Sequence, residues 1–245
     1  MKSQKLLDKL NNGETMNKNR TEQNRTEQNR TEQNRTEQNY DDLIAEHYKE
    51  VAQQEGKKST STRADTITRE KETRAIVDFV ADSLRHRQAE NDQQRAIIMD
   101  VGCGNGFTLE VIASQYPNEQ FIGIEKTKEL REIAISRFEG IENVTILEGD
   151  IRDSDFSNGI LVDILICQRV LINLLNENDQ NKALKNLACS VKEADTWHSG
   201  GTLLFLESFS SSLCKLNEAR EEFNLSEIKP AHHNLYLQDN FFEIP

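Results

Sequence analysis

Residues 96–106 read A-I-I-M-D-V-G-C-G-N-G and set the architecture of the whole chain. The first six residues form an apolar run with a single acid, which is typical of a strand buried on both faces of a parallel sheet. Three glycines then fall within five residues, at Gly102, Gly104 and Gly106. They allow a tight turn and the close approach of a ligand to the main chain. A helix predicted from Phe107 offers that ligand its free N–H groups.

Strands and helices alternate on both sides of this unit. The pattern predicts an α/β fold with an open, mostly parallel Rossmann-like sheet and helices on both faces. Further strands are predicted at Gln120–Ile124, Val144–Leu147, Asp163–Cys167 and Gly201–Glu207. Helices are predicted at Tyr40–Gln54, Asp65–Arg87, Phe107–Gln115, Lys128–Phe138, Asp179–Lys192 and Leu213–Phe223.

The chain before the first strand falls into two parts. Residues 19–38 are four copies of Asn-Arg-Thr-Glu-Gln, a unit without any apolar side chain. Burial cannot offset the ordering entropy of such a segment, so residues 1–39 are predicted to form a disordered or weakly helical polar tail. Residues 40–95 then form an N-terminal helical cap, and residues 96–245 form the ligand-binding domain.

Composition argues against several classes of function. The net charge is −12, which disfavours nucleic acid as a substrate because such proteins neutralise phosphates with basic patches. The chain has four cysteines, and none of them forms a C-x-x-C pair, so neither a zinc site nor a disulfide framework is predicted. No apolar run approaches the ~20 residues that span a bilayer. A cytoplasmic protein without membrane contact is the expectation.

Acidic residues that follow the first three strands suggest the kind of ligand. Asp100 would repel a pyrophosphate but pair with an ammonium group, and G-x-G-x-G spacing differs from the dinucleotide fingerprint G-x-G-x-x-G. Glu125 lies ~20 residues beyond the glycines, where an acid holds a ribose diol, although an acid is also common in a first helical turn. Asp150 would accept from an exocyclic amine, and Ile151 would cover an aromatic ring face.

Together these residues resemble a known family. D-V-G-C-G-N-G, the acid at Glu125 and G-D-I at 149–151 are similar to the glycine-rich, ribose and adenine motifs of class I S-adenosylmethionine (SAM)-dependent methyltransferases, over about Tyr40 to Glu207. The resemblance implies SAM as cofactor, with a cap over it formed by the leading helix. The implied cofactor-binding residues are Asp100, Gly102, Cys103, Gly104, Gly106, Glu125, Asp150, Ile151 and Gln168.

The acceptor is indicated by the stretch after the fourth strand, which reads C-Q-R-V-L-I-N-L at residues 167–174. It lacks the Asn- or Asp-Pro-Pro-aromatic element of methyltransferases that act on DNA bases or glutamine amides. It resembles instead small-molecule methyltransferases, including some from bacterial surface-polysaccharide gene clusters. The prediction is therefore methylation of a small molecule or sugar derivative, at an oxygen.

Transfer to a hydroxyl also needs a group that takes its proton. The candidate bases are His47, Glu207, His232 and His233, and the candidate acceptor-binding residues are Tyr48, Arg63 and Arg169. No metal is predicted, because adjacent histidines without a spaced carboxylate are a poor ligand set.

Two alternatives stay open at this point. One is a non-catalytic or remnant SAM- or nucleotide-binding protein, since the family continues past the fifth strand with a helix and two strands. Here Asn234–Phe242 leaves room for one strand at most, so the C-terminal strands of the sheet are expected to be incomplete, as in a truncated chain. An uncovered sheet edge would favour a homo-oligomer. The other alternative, an NAD-dependent oxidoreductase, is disfavoured by the glycine spacing and by Asp100.

Overall fold

The computed structural model describes residues 40–61, 65–90, 94–195 and 199–243. The chain divides into two compact units, residues 1–44 and 45–245. Of the first unit only residues 40–44 are described, and they are helical. The predicted polar tail and the candidate Arg63 therefore lie outside the described residues.

Strands alternate with helices along the described chain. The helices are α1 (described over 40–55), α2 (Thr66–Ala89), α3 (Phe107–Gln115), α4 (Lys128–Arg137), α5 (Glu177–Ala188) and α6 (Ser210–Glu222), with a short 3-10 helix at Leu171–Asn173. The strands are β1 (Ile97–Val101), β2 (Gln120–Ile124), β3 (Val144–Leu147), β4 (Ile164–Gln168) and β5 (Thr202–Leu206).

These five strands form one parallel sheet in the order β3-β2-β1-β4-β5, which confirms the predicted open Rossmann-like architecture. Asp100, near the end of β1, lies opposite Gly123 of β2 and Ile166 of β4. The strand order reverses between β1 and β4. Ligands of such sheets bind at this switch point, beyond the carboxyl ends of the strands.

Alternate residues of β1 enter two separate apolar clusters. Ile98 packs in a cluster with α2 and α3, to which Ile76 and Leu109 belong. Met99 and Val101 pack in the other cluster, with α5 and the segment around Leu237. The sheet is therefore covered on both faces, as its near-continuous apolar strands require.

Helix α2 shows how local sequence places an element on the sheet. The side chain of Asp65 caps it by accepting from the Thr68 backbone N–H at 3.1 Å. Ile76, Val80 and Leu84 then recur every fourth residue and are buried, so they form an apolar stripe against the sheet. None of the helices in the described ranges is long and apolar enough to cross a membrane.

Two predicted segments differ from the structure. The helix predicted over 179–192 is α5, which begins at Glu177 because Asn176 caps it, accepting from the Asn178 N–H at 2.8 Å. The segment 234–242 contributes a single parallel bridge, between Leu237 and Phe209, and no strand in the described C-terminal part. Within the described residues β5 thus has only β4 as a strand partner. Its Phe205 ring instead meets that of Phe242, with centroids 4.8 Å apart.

Candidate active site

The glycine-rich loop follows β1 at the switch point. Gly102, Gly104 and Gly106 have φ of +64°, +57° and +79°, a region that side chains disfavour. A Cβ on Gly102 would lie 2.5 Å from Cγ2 of Val170, which follows β4. The Cys103 N–H donates to the Ile124 carbonyl at 3.0 Å and fixes the loop to the end of β2. The predicted loop therefore lies where three strand ends meet.

Two buried carboxyl groups face this loop. Asp100 is 3% exposed and Glu125 is 7% exposed. Burial raises the pKa of Asp100 to about 7, the charge of Arg69 lowers it, and the charge of Glu125 raises it further. Burial also raises the pKa of Glu125, opposed by N–H donors of Thr127 and Gly104. Two adjacent buried acids favour a ligand that brings positive charge.

Arg69 is a site residue that the sequence did not reveal. It extends from the first turn of α2, is buried, and lies over the Phe107 ring with its guanidinium carbon 5.1 Å from the centroid. Its charge acts on Asp100, so this pocket holds a cation beside its acids. A usable signal was present: Arg69 precedes Ile76 by two helical turns and so lies on the buried stripe.

Glu125, the predicted ribose-binding residue, accepts hydrogen bonds from two backbone N–H groups and from the side chain of Thr127. Its two oxygens accept from the N–H groups of Gly104 at 2.9 Å and Thr127 at 2.7 Å. The carboxylate thereby links the glycine-rich loop to the start of α4. The Thr127 hydroxyl also donates to this carboxylate, and the lone pairs that remain are available to a ligand hydroxyl.

The predicted adenine residues follow β3. Burial raises the pKa of Asp150, but hydrogen bonds from Arg152 and the charge of Lys126 outweigh it and hold the pKa well below its usual range. The nearest of these contacts is 2.6 Å, from Nη2 of Arg152 to Oδ2 of Asp150. Ile151 is buried in the apolar cluster beneath the sheet. Adenine contact by this pair stays a prediction.

The connection between α1 and α2 is anchored on the glycine-rich loop. Nδ2 of the buried Asn105 donates to the carbonyls of Gly56 at 2.8 Å and Lys58 at 2.9 Å. Nε of Arg137 donates to the Asn105 carbonyl at 2.8 Å. The predicted cap is thus attached to the glycine-rich loop through Asn105, a residue of that loop.

The segment after β4 carries an unusual backbone conformation. Arg169 has φ of +58°, rare for a residue with a side chain, and its N–H donates to the Leu206 carbonyl at 2.8 Å. Non-glycine residues in this region cluster at functional sites. Next to it, Nε2 of Gln168 donates to Glu72 of α2 at 2.9 Å. Both predicted residues therefore lie at the carboxyl edge of the sheet.

Glu207, a candidate base, holds the 3-10 helix. Its Oε1 accepts from the N–H groups of Val170 and Leu171, both at 2.9 Å, and Oε2 accepts from Ile172 at 3.4 Å. Burial raises its pKa to about 7 against these donors. Glu207 therefore positions the 3-10 helix, and its role as a base stays a prediction.

A polar network joins α1 to the 3-10 helix and to the segment after α6. Nδ2 of Asn173 donates to the Tyr48 hydroxyl at 2.8 Å, and Nδ2 of Asn234 donates to Oδ1 of Asn173 at 2.8 Å. Burial raises the pKa of Tyr48 to about 12, and the charge of Glu125 adds to this. Tyr48 therefore lies within electrostatic range of Glu125. Neither asparagine was singled out, because nothing local marks them.

Three histidines come together beside Tyr48. The rings of His47 and His233 stack with centroids 3.8 Å apart, and that of His232 lies 5.0 Å from His233. Burial, and then the charge of His232, lower the pKa of His47. Burial lowers the pKa of His233 to about 4, with the charge of His47 contributing. At neutral pH these two imidazoles are uncharged.

Comparisons with known proteins agree with this geometry. Residues 98–194 match the family model described as a methyltransferase domain. Magnesium protoporphyrin IX methyltransferase from Synechocystis PCC 6803, solved with SAH, is similar at 13% identity and TM-score 0.49, over 71% of this chain and 69% of that one. No curated protein matches the chain.

Two further solved structures are similar over shorter stretches. An amino pentose methyltransferase from Micromonospora echinaspora, solved with SAM, has 26% identity and TM-score 0.42, over 55% of this chain and 52% of that one. DesVI of Streptomyces venezuelae has 20% identity and TM-score 0.45, over 60% and 56%. The matched part thus spans about half of each. The family-model match therefore indicates a methyltransferase domain over residues 98–194, about two fifths of the chain.

Proposed function

We propose that the protein transfers a methyl group from SAM to an oxygen of a small molecule. The observation that carries this proposal is the pair of buried acids, Asp100 and Glu125, set with Arg69 at a glycine-rich loop. SAM brings a sulfonium, an ammonium and a carboxylate, and it supplies an already activated methyl group. The two acids suit the cationic part of SAM and Arg69 suits its carboxylate, so the charges of these three side chains fit the cofactor.

The donor side divides the work among its residues. Asp100 and Arg69 would bind the amino-acid end, and Gly102, Cys103, Gly104 and Gly106 would let the donor lie against the backbone. Glu125 would accept from the ribose hydroxyls with its remaining lone pairs. Asp150 and Ile151 would contact adenine, and Gln168 would border the pocket from β4.

The acceptor side consists of Tyr48, Arg169 and the histidines. In-line transfer needs alignment of the acceptor and exclusion of water, and the anchored cap is suited to both. Arg169 would receive an anionic group. A hydroxyl must also lose its proton, and the histidine cluster holds the uncharged imidazoles nearest to this side. A sugar acceptor and a polysaccharide-cluster origin stay predictions from residues 167–174, as does self-association through the β5 edge.

Donor binding is tested first, by calorimetric titration of SAM into the full chain. Wild type should bind saturably, while Gly104→Val and Glu125→Ala should lose binding, because one blocks the loop and the other removes its acid. Glu142→Ala, at an exposed acid beyond α4, is the matched control and should bind as wild type does. Unchanged affinity in the first two variants would refute the proposal.

Turnover is tested by SAM-dependent release of S-adenosylhomocysteine across pools of hydroxylated and anionic metabolites. Methylated product at oxygen supports the full proposal. Saturable binding with no turnover on any pool would favour the non-catalytic alternative. A parallel NADH fluorescence titration should show no binding, since the acids disfavour a pyrophosphate.

A further inference from the structure

The three histidines beside Tyr48 supply enough imidazoles for a metal-ligand set, although the stacked rings of His47 and His233 must turn for their nitrogens to point at one ion. His47 comes from α1, while His232 and His233 come from the segment after α6. One side-chain nitrogen from each lies within 4.8 Å of those of the other two. By themselves, the adjacent histidines at 232–233 are a poor ligand set. The fold adds a third imidazole, that of His47, from near the other end of the described chain.

A second observation indicates a ligand at the same place. Nδ1 of His233 is buried and has no hydrogen-bond partner among the described residues. A buried nitrogen left in this way is destabilising, and in native structures it calls for a specific explanation such as a bound ion. The backbone of this residue is itself fixed, because its carbonyl accepts from Nδ2 of Asn234 at 2.9 Å.

The chemistry of the set narrows the choice of ion. Imidazole suits zinc, copper, nickel and iron rather than magnesium or calcium, which prefer oxygen. Three histidines plus one open position is a frequent arrangement of catalytic zinc, with Zn–N distances of ~2.0–2.1 Å. His232 is exposed, which gives an ion a path into the cluster.

We propose that His47, His232 and His233 bind one divalent transition ion of the Zn²⁺ type, with a coordination position left for an oxygen ligand. The ring of Tyr48 lies 5.0 Å from that of His47 and 6.4 Å from that of His233, centroid to centroid. The ion would therefore lie next to the Tyr48–Asn173 network of the acceptor side. Metal binding goes beyond the proposed methyl transfer, and SAM binding does not depend on it, but a bound ion would occupy the imidazole nitrogens that we propose as a base for the acceptor hydroxyl.

The test uses the full chain without a histidine tag, stripped with a chelator and titrated with Co²⁺. Saturation at ~1 equivalent with visible d–d absorption of a low-coordinate site is expected, and Zn²⁺ should displace the signal. His47→Asn and His233→Asn should each weaken Zn²⁺ binding by at least ~10-fold. His86→Asn is the matched control at an exposed histidine of α2 and should bind as wild type does.

Circular dichroism of each variant separates loss of metal from loss of fold. If His47→Asn is unfolded, the exposed His232 gives a second variant, His232→Asn, that removes a ligand without disturbing packing. The proposal is overturned if folded variants bind Zn²⁺ as wild type does, or if wild type gives only the octahedral spectrum of solvated Co²⁺. SAM titration is scored separately, so the two proposals fail independently.

Discussion

The donor and acceptor sides of the site are built in different ways. Most of the proposed donor residues lie at or just after the ends of β1, β2 and β3, and Arg69 of α2 and Gln168 of β4 complete the set. Acceptor residues come from α1, from the 3-10 helix and from the segment after α6, which hydrogen bonds bring together. Strand ends of a parallel sheet converge by topology, whereas the acceptor side depends on side-chain contacts between distant segments. We therefore expect the donor side to tolerate less change.

The largest expected effect lies on the donor side, at Gly102. Gly102→Ala forces a left-handed residue and brings its Cβ to 2.5 Å from Val170, so SAM binding should be lost. Gly140→Ala is the control: φ is +81° there, but nothing lies within 4 Å of the added Cβ. In that variant the free energy of unfolding should fall only by the cost of the left-handed conformation, ~1–2 kcal/mol, measured by thermal unfolding. Equal effects in the two variants would contradict a steric role for Val170.

Asp100 should make donor binding depend on pH. Its pKa is raised from 3.8 to about 7, so the free protein loses stability as pH rises from about 4 to about 7, and the carboxylate that ionises in the folded protein near pH 7 attracts a cation more strongly. Calorimetry should show that the affinity of wild type for SAM rises as pH approaches about 7, by ~10-fold per pH unit at most. Asp100→Asn should bind weakly, without this dependence. The same slope in both would assign it to another group.

Glu207 tests the acceptor side through its backbone. Glu207→Gln leaves a single acceptor oxygen for the backbone N–H groups that two oxygens accept in wild type. The free energy of unfolding should therefore fall by ~1–3 kcal/mol. Because the pKa of the Glu207 carboxyl is raised from 4.5 to about 7, the wild-type protein also loses stability as pH rises from about 4.5 to about 7. That slope should be shallower in the variant. SAM affinity should change little while turnover falls; the reverse would place Glu207 on the donor side.

The smallest expected effect is at Tyr48. Tyr48→Phe removes the acceptor of one Asn173 hydrogen bond, at a cost of ~1 kcal/mol in chemical unfolding. The KM for the acceptor should rise more than the Kd for SAM. Tyr116→Phe, at the end of α3, is the control and should alter neither. An effect confined to SAM binding would mean that the cap serves the donor alone.

What the sequence could predict follows the same division. The bounds of α3 and β2 are as predicted, because apolar periodicity and flanking breakers are local signals. The start of α5 was missed because it depends on one capping side chain, Asn176. Asn173 and the approach of His47 to His233 were not predicted at all, since they arise from packing between segments far apart in sequence.

The contact between Gly102 and Val170 has a consequence for how such proteins diverge. The loop that we propose to bind SAM and the loop that we propose to face the acceptor pack closely at these two residues, so residue 170 cannot change in shape without regard to residue 102. A graft of the segment after β4 from another methyltransferase should therefore succeed only when its residue at 170 leaves the space above this glycine unchanged.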